Sequence, residues 1–441
     1  MSWKKVKLGD ILTESKIISE NPNPDRRITV RLKVLGVEKR GIENEVEGAT
    51  KQYIRKAGQF IYGKQNFHKG AFGIVPSELD GFESSSDLPA FDVDKSCLPE
   101  FLFYFFKQGN FYLELSKIAS GIATQRINTT QLFELELLLP DIKTQRQLIS
   151  NIQLLEKNGS QISTELTYQL TLVKKLRQQL LQDAVQGKLV EQNATDEPAN
   201  ELLKKIKVER LNRDAALARP KKEKELPPIK PEEIPFYIPE NWVWCRLGEI
   251  AYITSGSTPS QSAFVTSGIP YLKMYNLRNQ KIDFFHKPQY IKEEVHNGQL
   301  KRCRAYPGDV IMNIVGPPLG KIAIIPDDLP ECNFNQAAVL IRPIKKEMNY
   351  FIFWYLNELS EIRAIETKGV AGQDNISVTQ AHNMRVPLPP FEEQNRIVQK
   401  LDKLMQYCNE LEASIKQSES QNEKLLQQVL REALRKEPDE V

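Results

Sequence analysis

Trp3-Lys4-Lys5-Val6-Lys7-Leu8-Gly9-Asp10-Ile11 returns later in the chain as Trp242-Val243-Trp244-Cys245-Arg246-Leu247-Gly248-Glu249-Ile250. Working outward from this pair, Gly58-Gln59-Phe60-Ile61 matches Gly308-Asp309-Val310-Ile311. Gly70-Ala71-Phe72-Gly73-Ile74-Val75-Pro76 matches Gly320-Lys321-Ile322-Ala323-Ile324-Ile325-Pro326, and Gly121-Ile122-Ala123-Thr124-Gln125 matches Gly369-Val370-Ala371-Gly372-Gln373. The order is the same in both halves, at a period of about 240 to 250 residues, and chance matches do not keep order over a whole chain. The 441 residues are therefore one unit written twice.

Each half opens with a globular portion of short apolar runs broken by Gly and Pro, which predicts a β-rich fold with a few helices, among them 99–106 and 350–359. An extended run (135–139, 385–388) then meets proline, and a long helix follows. The expected fold class is α+β: globular domains at 1–140 and 242–390, long helices at 141–187 and 391–436, and a linker at 188–241. Within the linker, 199–218 reads as a charged helix, and Pro220, Pro227, Pro228, Pro231, Pro235 and Pro239 make a stiff strap.

The first long helix places Leu148, Ile152, Leu155, Gly159, Ile162, Leu166, Val173, Leu176 and Leu180 at alternating steps of four and three, a heptad seam. The second places Ile397, Leu401, Leu404, Cys408, Leu411, Ile415, Leu425 and Val429 in the same pattern, 249 residues on. A lone helix cannot bury such a stripe, but two in one chain can bury each other. A pseudo-two-fold pair is the simplest arrangement, an antiparallel coiled coil within one polypeptide. At roughly 1.5 Å per residue such a helix is about 65 to 70 Å long. Polar residues on the seam, Gln169, Ser418 and Asn422, either fix the register or face water.

Composition limits the function. Lys plus Arg is 60 and Asp plus Glu is 57, so a nucleic-acid surface must be a local patch. Five cysteines without a CxxC argue against a disulfide framework or a zinc ribbon and fit a reducing, cytoplasmic setting. No apolar run follows Met1-Ser2-Trp3-Lys4-Lys5, and no stretch is long and apolar enough to span a membrane. Catalytic constellations are missing from the sequence. Gly316-Pro317-Pro318-Leu319-Gly320-Lys321-Ile322 is one residue short of a phosphate loop and lacks its Ser or Thr. Leu388-Pro389-Pro390-Phe391 begins with a residue that cannot accept a hydrogen bond from a target amino group. The four histidines share no metal-ligand spacing with the cysteines.

Binding chemistry is easier to find. Residues 48–77 contain no acid and carry Lys51, Arg55, Lys56, Lys64 and Lys69 among Tyr53, Phe60, Tyr62, Phe67 and Phe72, with Gln65 and Asn66 in the middle. Residues 250–282, also free of acids, carry Lys273, Tyr275, Asn276, Arg278 and Lys281, and 295–305, a second acid-free run, carries Lys301, Arg302 and Arg304. Lys and Arg neutralise phosphates, while Arg, Asn and Gln pair with base edges in the major groove. For each residue singly, a solvated basic loop beside a packed aromatic core is the plainer account; the recurrence in both halves favours DNA. A scaffold that binds proteins and a self-contained DNA-modifying enzyme are the competing classes.

The chain resembles the specificity (S) subunit of type I restriction-modification systems. The resemblance rests on the Trp-x-x-x-x-Leu-Gly-Asp/Glu-Ile openings and the segments 120–125 and 369–373. It also rests on Pro140 with Gln145-Arg146, Pro389-Pro390 with Glu393-Gln394-Asn395-Arg396, and the strap ending Ile238-Pro239-Glu240-Asn241-Trp242. Asp141-Ile142-Lys143-Thr144 departs from the usual Pro- and Glu-rich helix entry. The resemblance implies a non-catalytic subunit of a methyltransferase/endonuclease, with two target-recognition domains that each read half of a split, asymmetric DNA site. It implies that the paired helices set the gap and dock methyltransferase subunits, with restriction/translocase subunits joining the complex. S-adenosylmethionine, ATP and magnesium would then belong to those partners, and this chain would bind no cofactor.

Overall fold

The computed structural model describes residues 3–41, 51–108, 111–120, 125–216, 226–316, 319–358 and 375–434. Pro220 and the repeated segments 121–125 and 369–373 lie wholly or partly outside the described residues. The chain forms two compact units, Met1–Gln169 with Ala413–Val441, and Leu170–Glu412.

In the first unit the strands are β1 (Lys4–Lys7), β2 (Leu12–Glu14), β3 (Ile28–Val30), β4 (Val37–Lys39), β5 (Gln52–Ile54), β6 (Phe60–Tyr62), β7 (Phe72–Ile74), β8 (Glu83–Ser85), β9 (Ala90–Val93) and β10 (Glu136–Leu139). A four-stranded antiparallel sheet runs β2-β9-β6-β7, and the opening strand β1 pairs with β10. Its core is aromatic: Phe60, Tyr62, Phe67, Phe72, Phe91 and Phe106 are buried, with the Phe60 and Phe106 rings stacked at 5.5 Å.

In the second unit the strands are β11 (Val243–Arg246), β12 (Ala251–Ser255), β13 (Phe264–Val265), β14 (Ile269–Leu272), β15 (Leu277–Arg278), β16 (Lys281–Ile282), β17 (Tyr290–Ile291), β18 (Arg304–Ala305), β19 (Val310–Asn313), β20 (Ile322–Ile324), β21 (Cys332–Phe334), β22 (Ala338–Pro343) and β23 (Arg385–Leu388). Here β12-β22-β19-β20 repeats the first unit's sheet order, and β11 pairs with β23 as β1 does with β10. A further five-stranded sheet, β13-β17-β14-β21-β18, belongs to this unit alone among the described residues. The duplication seen in sequence is thus a duplication of topology, with unlike insertions. Helices at Pro99–Lys107 and Asn349–Glu358 fill the places where helices were expected.

Two helices of 44 residues each, Ile142–Val185 and Phe391–Leu434, contribute to both units. In the first unit Ile149 and Ile152 share a core with Leu430 and Leu434. In the second, Leu181 and Ala184 share a core with Ile397, Leu401 and Met405. In each unit, therefore, the start of one helix meets the end of the other, which is antiparallel pairing. Each helix is anchored at its start by a buried glutamine. Gln145 accepts the Leu98 amide at 2.8 Å and donates to the Ser96 and Pro140 carbonyls, each at 2.8 Å. Its repeat equivalent Gln394 donates to the Pro389 carbonyl at 3.0 Å.

The seam departs from the expected one at five positions, three on the first helix and two on the second. The covered stripe is Gln145, Ile149, Ile152, Glu156, Gly159, Ser163, Leu166, Leu170, Val173, Arg177, Leu180 and Ala184. Ile152, Gly159, Leu166, Val173 and Leu180 are common to both versions, but the second column lies one residue further on. Leu155, Ile162 and Leu176 face water, as do Leu411 and Leu425 on the other helix. Leucine and isoleucine pulled the sequence reading toward the apolar column, whereas the packed column includes polar groups satisfied across the pair. Arg177 donates to Asn409 at 2.8 Å and to Glu412 at 3.1 Å. Asn422 donates to the Gly159 carbonyl at 3.0 Å, so it acts across the pair. Among the described residues Gln169 and Ser418 bond within their own helices, to Glu165 and to the Ser414 carbonyl.

The linker helix is Ala199–Ala216, with Leu202 and Ile206 in the second unit's core. The strap is held by Arg246, which donates to both Glu233 oxygens at 2.9 Å and to the Pro227 carbonyl at 3.2 Å.

Candidate nucleic-acid interface

The first unit's basic run winds around the four-stranded sheet. Lys51 and Lys56 flank β5 and are exposed. Lys64, Gln65 and Asn66 are half-buried in the turn after β6, and Lys69 is exposed on the single 3-10 turn Phe67–Lys69. Gly70 closes that turn at φ +81°, a left-handed conformation that suits glycine. The interleaved Phe60, Tyr62, Phe67 and Phe72 point into the core, so they are not stacking platforms for bases. Arg55 needs correction. It is 1% exposed, and its guanidinium donates to Ser84 Oγ at 2.7 Å and to the Ser15 and Leu88 carbonyls at 2.9 and 3.0 Å. Burial lowers its pKa to about 10, which still leaves it charged at neutral pH. This arginine is a structural tie, too deeply buried to reach DNA.

A neighbouring basic element escaped the sequence reading. Strands β3 and β4 form a hairpin whose flanks and tip carry Arg26, Arg31, Lys33, Lys39 and Arg40, all exposed. Arg31 pairs with Glu38 at 2.6 Å, whereas Arg26, Lys33 and Lys39 have no ion-pair partner among the described residues. Glu38 and the acids at 43, 45 and 47 broke the acid-free criterion and hid this stretch. At the tip, Lys33 and Val34 both have positive φ, 55° and 59°, which is costly for a β-branched residue. Two backbone bonds hold them there: Lys33 N–H to the Lys69 carbonyl at 2.9 Å, and Val34 N–H to the Gly70 carbonyl at 2.8 Å. A Cβ on Gly70 would lie 2.9 Å from the Val34 nitrogen, so glycine is required there twice over.

In the second unit β15 and β16 form a two-residue hairpin. Its central residues, Asn279 and Gln280, have φ of 48° and 60°, the pattern of a type I′ turn. Arg278, Asn279, Gln280 and Lys281 are all exposed. Arg278 lies 3.8 Å from Asp283, both half-exposed, a weakly held pair. Lys273 and Tyr275 are half-buried beside the hairpin, with Lys273 5.5 Å above the Phe264 ring and the Tyr275 hydroxyl donating to the Lys287 carbonyl at 3.2 Å. Asn276 also needs correction. It is 1% exposed and fixes the turn after the hairpin, donating to the Asp283, Phe284 and His286 carbonyls at 3.0, 3.3 and 3.0 Å. That turn presents Phe285, 82% exposed.

Lys301 and Arg302 are exposed on a turn packed against β12, while the hairpin packs against β20. These strands are opposite edges of the four-stranded sheet, so the two basic groups are not brought together. Arg304 is half-buried, 3.3 Å from Glu331 and bonded to Asn297, a local structural pairing. Among the described residues no three of His, Cys, Asp and Glu converge as a metal site, and no helix is long and apolar enough to cross a membrane.

Residues 239–418 match the model of the type I restriction modification DNA specificity domain. The EcoAI type I restriction enzyme specificity subunit of Escherichia coli is 34% identical over 279 residues, 60% of this chain and 46% of that protein. The EcoEI specificity subunit of the same organism is 31% identical over 280 residues, 58% of this chain and 43% of that one. The chain thus spans a little under half the length of these two relatives. The HsdS subunit from Thermoanaerobacter tengcongensis, a crystal structure, superposes with a TM-score of 0.60 at 18% identity, covering 98% of this chain and 96% of that one. At that identity the likeness is one of fold.

Proposed function

We propose that this chain is a type I restriction-modification specificity subunit and the DNA-reading component of such a complex, a reading supported by the match of residues 239–418 to the DNA specificity domain. Each globular domain reads one half of a bipartite, asymmetric DNA site. The single observation that carries the reading is the doubled sheet, β2-β9-β6-β7 and β12-β22-β19-β20, flanked in each unit by an exposed basic element. Unlike loops on a like frame suit two different half-sites. Lysines 51, 56, 64 and 69 in the first unit, and Lys273, Arg278 and Lys281 in the second, supply contacts to phosphate and base edges. Lys301 and Arg302 form a separate phosphate-contacting patch.

The chain is non-catalytic in this reading. Two methyltransferase subunits dock on it, restriction/translocase subunits join through them, and S-adenosylmethionine, ATP and magnesium sit on those partners in the cytoplasm. The exposed Leu155, Ile162, Leu176, Leu411 and Leu425 support docking, since an uncovered apolar row on a helix is a common mark of a protein interface. The paired helices set the gap between half-sites. The test is selection of DNA from a randomised duplex pool by the full chain with its methyltransferase subunits. A split motif is expected, its gap lengthening when one heptad is added to both helices. Recovery of no motif would leave a protein-binding scaffold as the better account.

A further inference from the structure

We propose that the hairpins β3–β4 and β15–β16 are equivalent reading heads, each entering the groove of one half-site. The proposal rests on the DNA-reading function above and adds which element makes the sequence-specific contacts.

Position is the first argument. Among the described residues each unit has a two-stranded hairpin that packs on one edge strand of the four-stranded sheet, the first lying also against β8. In the first unit β4 lies against β7, and in the second β16 lies against β20. By the sequence repeat β7 and β20 are the same strand, and the residue beneath the hairpin is small in both. A Cβ on Gly73 would sit 2.7 Å from Val37 Cγ2, and the matching residue in β20 is the fully buried Ala323. The hairpins are thus seated alike although their sequences differ, as expected of interchangeable readers on a constant frame.

Chemistry is the second argument. The tip of the second hairpin is Arg278-Asn279-Gln280-Lys281, one cation at each end of two carboxamides. A carboxamide offers adenine a donor and an acceptor together, and arginine does the corresponding service for guanine. Neither the Asn279 nor the Gln280 side chain has a hydrogen-bond partner among the described residues, and Lys281 has no ion pair. Asn279 suits its positive φ, but at Gln280 glycine would be the unstrained choice, so there the protein keeps a side chain where the backbone disfavours one. The first tip differs: Arg31, Lys33 and the exposed Leu32 and Leu35, the last 76% exposed. Apolar groups of this kind meet the thymine methyl, and a two-stranded ribbon fits the major groove. Unlike tips predict unlike half-sites.

The test uses two variants of the full chain, each purified with the methyltransferase subunits and selected on a randomised duplex pool. Asn279→Gly with Gln280→Gly removes both carboxamides and keeps the turn. Arg31→Ala with Lys33→Gly removes two cations from the first tip and keeps the positive φ at position 33. Each variant should lose base preference in one half of the motif, at least tenfold in relative enrichment, and keep the other half unchanged. Melting temperatures should match the parent protein, and the salt dependence of the Asn279/Gln280 variant should be unaltered. A variant that still selects both halves at parental strength overturns the proposal. A parent protein that selects no split motif overturns the DNA-reading function beneath it.

Discussion

The Lys33 amide donates to the Lys69 carbonyl at 2.9 Å, so the tip of the β3–β4 hairpin and the turn before β7 form one basic surface. Lys33 and Lys69 are both exposed on it, with Lys64 half-buried nearby in the chain. Each phosphate neutralised by such a lysine releases counterions, which makes binding salt-dependent. Lys64→Ala with Lys69→Ala should therefore weaken DNA binding and flatten the plot of log affinity against log salt, by about one in slope per lysine. Titrations at several salt concentrations measure it, and an unchanged slope would remove these two residues from the interface.

Arg55 provides the contrasting case, because it lies in the same basic run but is buried. Deleting its guanidinium removes the donor that the Ser84 hydroxyl and the Ser15 carbonyl accept from, and leaves the Leu88 carbonyl with the Ser84 hydroxyl alone. Arg55→Ala should cost about 3–5 kcal/mol in the first unit. Arg55→Lys cannot reach all three acceptors and should also destabilise the protein. Under conditions where the lysine variant stays folded, its salt slope for DNA should equal the parent's. Denaturant unfolding and salt titration on one preparation separate the two roles.

Long-range order was legible in the sequence because duplication writes each feature twice. Trp3 and Trp242, or Gln145 and Gln394, identify each other without any knowledge of contacts. The helix seam was legible only in part. Leu155 and Leu176 look like core by residue type, yet the neighbouring column with Glu156 and Arg177 is the covered one, its charges satisfied by groups distant in sequence. Site residues were the least legible, since a cation count cannot tell Lys69 from Arg55. Burial decides that, and burial depends on which strands pair. The β3–β4 hairpin was missed for a related reason: Glu38 counts against a linear charge run, but in space it pairs with Arg31, and Arg26, Lys33 and Lys39 have no ion-pair partner among the described residues.

Gly73 offers a way to disturb a hairpin from beneath. A methyl group there would meet Val37 Cγ2 at 2.7 Å, closer than side chains pack. Gly73→Ala should cost about 1–3 kcal/mol through overpacking and should loosen β4 from β7. If the hairpin reads DNA, selectivity for one half-site should fall while the other half-site is recognised as before. A variant equally stable and equally selective would show that β4 moves without consequence.

Glu393, in the first turn of the second long helix, is fully buried and takes a hydrogen bond from Gln192 Nε2 at 2.5 Å. Burial raises its pKa above the ordinary carboxylate range, more than Gln192 and Arg396 can offset. In the unfolded chain the same group ionises near its ordinary value. As pH rises from that value to the raised one, the unfolded state releases a proton that the folded state still holds, and stability falls. Above the raised pKa the loss is complete and constant. Glu393→Gln keeps the shape and removes the charge, so it should melt higher than the parent at pH 7. The advantage should shrink as pH drops through the raised pKa and vanish below the ordinary carboxylate value. Melting curves of both proteins across that range give the answer, and an advantage that persists undiminished in acid would show that the gain comes from something other than the buried charge.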